Sequence, residues 1–260
     1  GDKVHCLMSR YNANEVSAHN AAWKTGLLGT AKGPHYDEWE WKPSNVPFAH
    51  ANLLRLPDQR IIAVARWLER VTYARAAAVT VLSDDLAANV AAKVSPTRRN
   101  TVHMIPNFVD TVAIQPADRM TAYRRELGIG AEPVVMYAGN VGMSQSLDLL
   151  AAAARELPDV TFVVNGDGSG RKHIEELTAG LGNVRFGEFQ PAERLSEVLA
   201  TADLHLVPLK KGLGAVSVPS KTYSILASGR PILAAIDPGT EVPRILGASG
   251  AGRAVEPDRA

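Results

Sequence analysis

Residues Val207–Asp237 read VPLKKGLGAVSVPSKTYSILASGRPILAAID, and the reading of this stretch decides the fold. Its opening residues end an apolar strand, a glycine-containing loop follows, and a short helix leads into a second strand. Pro219 and Ser220 mark the helix start, with Ser220 in the position of an N-cap. Lys221 falls in the first helical turn. Gly229 suits the left-handed residue that ends a helix, and Pro231 prevents continuation. The apolar run Ile232–Ile236 fits a strand buried on both faces. A helix start exposes unpaired N–H groups at the positive end of its dipole. With Lys221 and a flexible Lys210–Val218 approach, it offers a place for a phosphate or diphosphate. An ordinary strand-to-helix turn with a solvated lysine shares all these features, so both readings stand at this point.

Downstream of Pro133 the same alternation repeats. Strands are expected at Val134–Ala138, Val160–Val164, Val184–Phe186, Leu204–Val207 and Ile232–Ile236. Helices are expected at Ser146–Glu156, Ser169–Ala179, Pro191–Ala200, Ser220–Ala227 and Glu241–Leu246. Such alternation implies a parallel sheet covered on both faces, which binds ligands at the carboxyl ends of its strands. The loops there are GNVG (139–142), NGDG (165–168), GEFQ (187–190) and Lys210–Ser220. Each holds a glycine, which lets backbone approach a neighbour closely. GNVG departs from the GxGxxG dinucleotide pattern.

Upstream, Ile61, Ile62, Ala65, Leu68 and Tyr73 recur at helical spacing with arginines opposite. This helix fits packing on a sheet better than lying on a membrane. Strands follow at Ala78–Leu82 and Thr101–Ile105, with Ser83 capping a helix between them. Residues 111–118 read as a linker and Arg119–Leu127 as a short helix. Residues 1–58 keep no clear period, and Tyr36–Trp41 reads as a surface loop. His50 is a candidate base, though a lone histidine is more often structural.

Composition narrows the function. The 260 residues carry a net charge of +1, which gives no field suited to nucleic acid. No apolar run approaches the roughly 20 residues of a membrane span. Cys6 is the single cysteine, so no intrachain disulfide forms and a reducing compartment fits. No signal peptide is recognisable, and the start at Gly1 is expected of a processed, tagged or incomplete chain.

The segments SDDLAANV (83–90), IPNFVD (105–110), VVMYAGNVG (134–142), FVVNGDG (162–168), VRFGEFQP (184–191), ADLHLVPL (202–209) and VPSKTYSILASGRPILA (218–234) resemble, in this order, those of glycosyltransferase family 4. The resemblance runs from Arg60 to Ala260 and is similar to bacterial enzymes of cell-surface polysaccharide synthesis. It implies a retaining transferase of GT-B fold, α/β with two Rossmann-like domains and parallel sheets. Residues 1–110 would form an incomplete, acceptor-side domain and residues 111–260 the donor domain. The short N-terminal half and the end at Ala260 fit missing first strands and closing helices.

By that resemblance Lys221 is catalytic, stabilising the leaving diphosphate. Donor contacts fall on Gly139, Asn140, Gly142, Gly166, Glu188, Phe189, Ser217, Ser220, Lys221 and Glu241. Many members hold two glutamates eight apart where Val216 and Ser224 stand here, and Glu241 is a substitute for the lost ribose contact. Asn140 and Gln145 stand where others carry cations. Phe189 either stacks on the base or fills the core. No metal or cofactor is expected. The expected partners are a nucleotide sugar, first of all a UDP-sugar, and a glycan or lipid-linked acceptor, in the cytoplasm or peripheral to the inner membrane face. The alternatives are an inactive nucleotide-sugar-binding module and a sugar-nucleotide epimerase.

Overall fold

The computed structural model describes residues 27–31, 39–43, 59–142 and 144–257. The chain divides into two compact units, one of residues 1–80 and 88–103, the other of residues 81–87 and 104–260. Residues 81–87, at the end of the first expected strand and the start of the following helix, belong with the larger unit.

In the smaller unit, β1 (Leu27–Ala31) and β2 (Trp39–Pro43) pair antiparallel, Gly29 opposite Trp41. Trp39–Trp41 is therefore strand, which corrects the expectation of a surface loop. The alternation of tryptophan with glutamate is the period of a strand, too short to stand out in isolation. Tyr36, Asp37 and Glu38, like His50, lie outside the described residues. Helix α1 (Gln59–Arg75) follows the expected periodicity. Strands β3 (Val79–Val81) and β4 (Val102–Met104) form a two-stranded sheet. Between them runs α2 (Asp84–Ala91), whose Leu86 N–H donates to Ser83 Oγ at 3.3 Å. Asp84 and Asp85 lie in its first turn, where the helix dipole favours acids.

The larger unit holds a six-stranded parallel sheet: β5 (Val134–Ala138), β6 (Thr161–Asn165), β7 (Val184–Gly187), β8 (Leu204–Pro208), β9 (Ile232–Ala235) and β10 (Gly252–Val255). Their order is β10-β9-β8-β5-β6-β7. Successive strands run outward from β5 to β7, and the chain then crosses back to place β8 on the other side of β5. This is the doubly wound arrangement, and its reversal point lies between β5 and β8.

Both faces are covered, which explains why the strands read as unbroken apolar runs. Along β5, Val134, Met136 and Ala138 join one cluster with Ile225, Ile232 and Leu246. Tyr137 joins the opposite cluster with Leu150, Phe162 and Ile174. Four helices link these strands: α4 (Asp148–Glu156), α5 (Arg171–Leu177), α6 (Leu195–Ala200) and α7 (Lys221–Ala227). Helix α8 (Glu241–Ser249) then leads to β10, a strand the sequence pattern had not shown. Its residues GRAV are only half-buried or exposed, so no apolar run marks it. At Gly252 a β-carbon would come within 2.0 Å of the Ile232 carbonyl.

A short helix, α3 (Ala122–Glu126), is fastened to the sheet by a buried arginine. Arg124 Nε donates to Gly130 O at 2.7 Å, Nη1 to Thr201 O at 2.9 Å, and Nη2 to Glu132 O. Asp203 lies 3.6 Å from the same guanidinium and also accepts from Val134 N–H at 2.8 Å. The buried charge is thus fully partnered, as burial requires.

Candidate functional site

The site assembles at the reversal point, from the loops that follow β5 and β8. Gly139 N–H donates to Asn165 O at 2.9 Å and Val141 N–H to Asp167 O at 2.9 Å, which lays the β5 loop on the β6 loop. Lys210 N–H donates to Ser144 O at 2.9 Å and ties the β8 loop to it from the other side. Two glycines make this contact possible. A β-carbon at Gly166 would sit 2.1 Å from Gly139 O, and at Gly168 2.4 Å from Val141 O. What these backbones approach is each other. Gly166 is buried, Gly142 and Gly139 are half-buried, and Asn140 is exposed. Gly142 N–H donates to Gln145 Oε1 at 3.0 Å, so the amide standing in for a cation folds back on its own loop.

Lys221 opens α7 beside this junction. The sequence suggested an exposed lysine, and the structure corrects that. Its Nζ is buried, has no hydrogen-bond partner, and lies 3.6 Å from the centre of the Tyr137 ring. The side chain passes Gly139, where a β-carbon would come within 2.9 Å of Nζ and 3.2 Å of Cε. Desolvation lowers the amine from its usual 10.5 to about 7, since burial disfavours the charged form. Ser220 holds the cap position but in helical conformation, and its hydroxyl makes no capping bond. Gly229 has the expected left-handed φ of 70°.

The loop before α7 is anchored, against the expectation of a flexible approach. Asp237, at the end of β9, accepts the Gly212 N–H on both carboxylate oxygens at 2.9 Å and the Gly214 N–H at 2.9 Å. Ser217 is exposed further along the loop, as is Ser220. Glu241, in the first turn of α8, pairs with Arg244 at 3.0 Å, and Arg244 reaches Asp85 at 2.6 Å. Its charge also helps, after desolvation, to raise the Tyr223 hydroxyl above the usual range. The side-chain partner of Glu241 is thus Arg244.

On the β6–β7 side, Arg171 organises the edge. Its Nη1 donates to Gly166 O and, at 3.0 Å, to Gly187 O. Its Nη2 meets Glu188 at 3.3 Å, its Nε meets Glu175 at 2.6 Å, and its guanidinium stacks 4.8 Å from the Phe186 ring centre. Glu188 is exposed and held by this pair, while Phe189 is half-buried. Among the described residues no group of three or more His, Cys, Asp or Glu could hold a metal ion. No described helix is long and apolar enough to cross a membrane.

Residues 120–257, more than half of the chain, match the family described as Glycosyl transferases group 1. The chain belongs to this family. The match spans the six-stranded sheet and both loops of the reversal point. Among curated relatives, a glycosyl transferase of Escherichia coli assigned by name to colanic acid biosynthesis, WcaI, is 32% identical over 136 residues, 49% of this chain and 33% of that protein. D-inositol 3-phosphate glycosyltransferase of Nocardia farcinica is 35% identical over 153 residues, 53% of this chain and 33% of that protein. The chain thus spans about one third of the length of these relatives. Among solved structures, Anabaena HepE in complex with UDP and glucose superposes with a TM-score of 0.59 at 19% identity, over 80% of this chain and 56% of that one. WaaG, involved in lipopolysaccharide biosynthesis, gives 0.59 at 21% identity, over 76% and 55%. These likenesses establish the GT-B type of α/β fold.

In this group 1 member the structure brings Gly139, Asn140, Gly142, Gly166 and Lys221 to one junction. Glu188 and Phe189 lie along the β7 edge, and Ser217, Ser220 and Glu241 follow β8 and β9. Tyr137, Arg171 and Asp237 escaped sequence reasoning. Tyr137 reads as one more apolar strand residue and Arg171 as a solvated first-turn charge. Asp237 had a usable signal, being an acid at a strand end beside a loop with two glycines.

Proposed function

We propose that this chain carries the donor half of a retaining glycosyltransferase that takes its sugar from a nucleoside diphosphate. The observation that carries the reading is the Lys221 amine, whose Nζ is buried and without a hydrogen-bond partner at the reversal point of the sheet. A cation left unpaired there is matched by an anionic ligand, and the place is where doubly wound sheets bind them. The reaction forms a bond between the acceptor oxygen and the anomeric carbon and breaks the bond from that carbon to the phosphate. On the same-face route the departing phosphate oxygen receives the acceptor proton. Charge grows on the diphosphate in the transition state, and Lys221 would stabilise it. Gly139, Asn140 and Gly166 shape the phosphate side, and Glu188 and Phe189 border the base. Ser217 and Ser220 flank the approach, and Glu241 would accept the ribose hydroxyls if a ligand displaced Arg244.

A UDP-sugar is the first donor to test, since the HepE structures hold UDP or UDP-glucose. The acceptor class is a glycan or lipid-linked sugar, as the names of WcaI and WaaG suggest. Such acceptors favour a cytoplasmic protein touching the inner membrane face. A second reading, a binding module without turnover, draws on Val216 and Ser224 standing in the places of the glutamate pair. A panel of nucleotide sugars separates the two. A rise in melting temperature with donor hydrolysis or transfer supports the enzyme, and the same rise without turnover supports the module. No stabilisation by any nucleotide sugar, and no turnover, would overturn both.

A further inference from the structure

Lys221 has a cation's task in the proposed site but no carboxylate beside it. Among the described residues it forms no ion pair and no hydrogen bond. The group that meets its Nζ is the ring of Tyr137, centred 3.6 Å away on β5. That ring is itself fixed, because the Tyr137 hydroxyl donates to Asn140 O and the residue is fully buried among Leu150, Phe162 and Val164. The geometry is specific to the pair. Gly139 leaves room for the lysine to reach the ring, since a β-carbon there would come within 2.9 Å of Nζ and displace it.

We propose that Tyr137 is the positioning residue for the Lys221 ammonium, its ring face holding the charge at the carboxyl edge of β5 until an anionic ligand takes it over. The inference rests on the reading of Lys221 as the diphosphate cation. A carboxylate in the place of the ring would hold the ammonium too tightly for a diphosphate to recruit. A purely aliphatic neighbour would let burial drive the proton off. An aromatic face attracts the cation by its quadrupole and carries no net charge to be displaced. The ring thus offsets part of the cost that burial puts on the charged form, and an arriving anion completes its protonation from solvent.

Few other groups bear on this amine. His205, on β8, is fully buried, donates from Nε2 to Leu199 O at 2.9 Å, and is held neutral by burial, at about 4. Arg230, past the end of α7, acts on His205 less than Lys221 does and hydrogen-bonds Ala117 O through Nη2. Tyr223, on α7 itself, senses Glu241, which is paired with Arg244. Asn140 and Gln145 in the β5 loop are neutral. The titration of Lys221 therefore reports chiefly its burial and the ring.

The test needs no ligand. Stability against pH is measured by urea unfolding of the full chain for wild type, Tyr137→Phe, Tyr137→Leu and Tyr137→pentafluorophenylalanine. Each is also made with Lys221→Met, so that subtracting the two curves isolates the lysine. We expect the break in the lysine-dependent curve near pH 7 for wild type and Tyr137→Phe, which keeps the ring. Tyr137→Leu should move it toward acid by about one pH unit, the worth of a partly desolvated cation–π contact. Pentafluorophenylalanine, which keeps the shape and reverses the quadrupole, should move it at least as far and covers the case in which Tyr137→Leu does not fold. Breaks that coincide for Phe and pentafluorophenylalanine would overturn the proposal. Because no nucleotide is present, that outcome leaves the donor reading intact, and a failed donor panel leaves this result standing.

Discussion

Replacing Lys221 by methionine should stabilise the protein, and by an amount that depends on pH in a defined direction. Methionine fills a similar volume without a charge. The folded-state amine sits at about 7, against 10.5 when solvated. Below pH 7 the lysine is charged in both states, and folding buries the charge at full cost. Between about 7 and 10.5 the folded chain releases a proton that the unfolded chain keeps, so stability rises with pH. Above 10.5 both states are neutral and the cost is gone. At about 1.4 kcal/mol per unit, the penalty is on the order of 4 kcal/mol at pH 7 and about 2 at pH 9. Lys221→Met removes it, so the variant's advantage should be largest at neutral pH and shrink steadily toward pH 10. Urea unfolding of both proteins across this range gives the difference, and other titrating groups cancel in it. A constant difference from pH 7 to pH 10 would mean that the amine is solvated in the folded protein, and the placement of Nζ beneath Gly139 would be refuted.

Three further outcomes follow from the site. Lys221→Ala should lower transfer about 10²- to 10³-fold in kcat, as removal of one stabilising donor does; near-normal kcat in steady-state assays would leave the backbone N–H groups as the phosphate ligands. Glu241→Gln should weaken donor binding about tenfold or more if its carboxylate serves the ribose, a charge-assisted bond being worth about 1.5–3 kcal/mol; an unchanged calorimetric Kd would confine Glu241 to its pair with Arg244. Gly166→Ala combines a φ of 131° with a contact of 2.1 Å to Gly139 O, so it should lower the melting temperature and weaken nucleotide binding together; a variant that melts normally would disprove the tight loop contact.

Much of this was legible in the chain itself. Strands such as β5 (VVMYA) and β9 (ILAA) are short apolar runs buried on both faces, and burial writes itself into sequence as an unbroken apolar word. Gly229 and Pro231 marked the end of α7 because a left-handed residue and a blocked N–H have few substitutes. Edge strand β10 was hidden, since one exposed flank removes the need for apolar residues. The state of Lys221 was hidden for a different reason. Whether a first-turn lysine is solvated depends on what lies across the sheet edge, and Gly139 and Tyr137 stand more than eighty residues earlier.

That separation bears on how the site is built. A phosphate cation placed on the surface would keep its charge and bind any anion weakly, with water and salt competing. Lys221 is instead drawn under Gly139, where desolvation strengthens whatever charge it meets. The cost is a charged form that the folded protein resists. Two features keep that cost from removing the charge altogether: the Tyr137 ring, which attracts a cation without neutralising it, and a rigid frame that fixes where the ligand arrives. The frame is the Asp237 anchor on Gly212 and Gly214, joined to Ser144 through Lys210 N–H. An amine poised this way gains most from a ligand with concentrated negative charge, because only such a ligand repays its protonation. If Lys221 is the diphosphate cation as proposed, Asn140 and Gln145 can be neutral, because desolvation strengthens the attraction of a single buried charge for an anion.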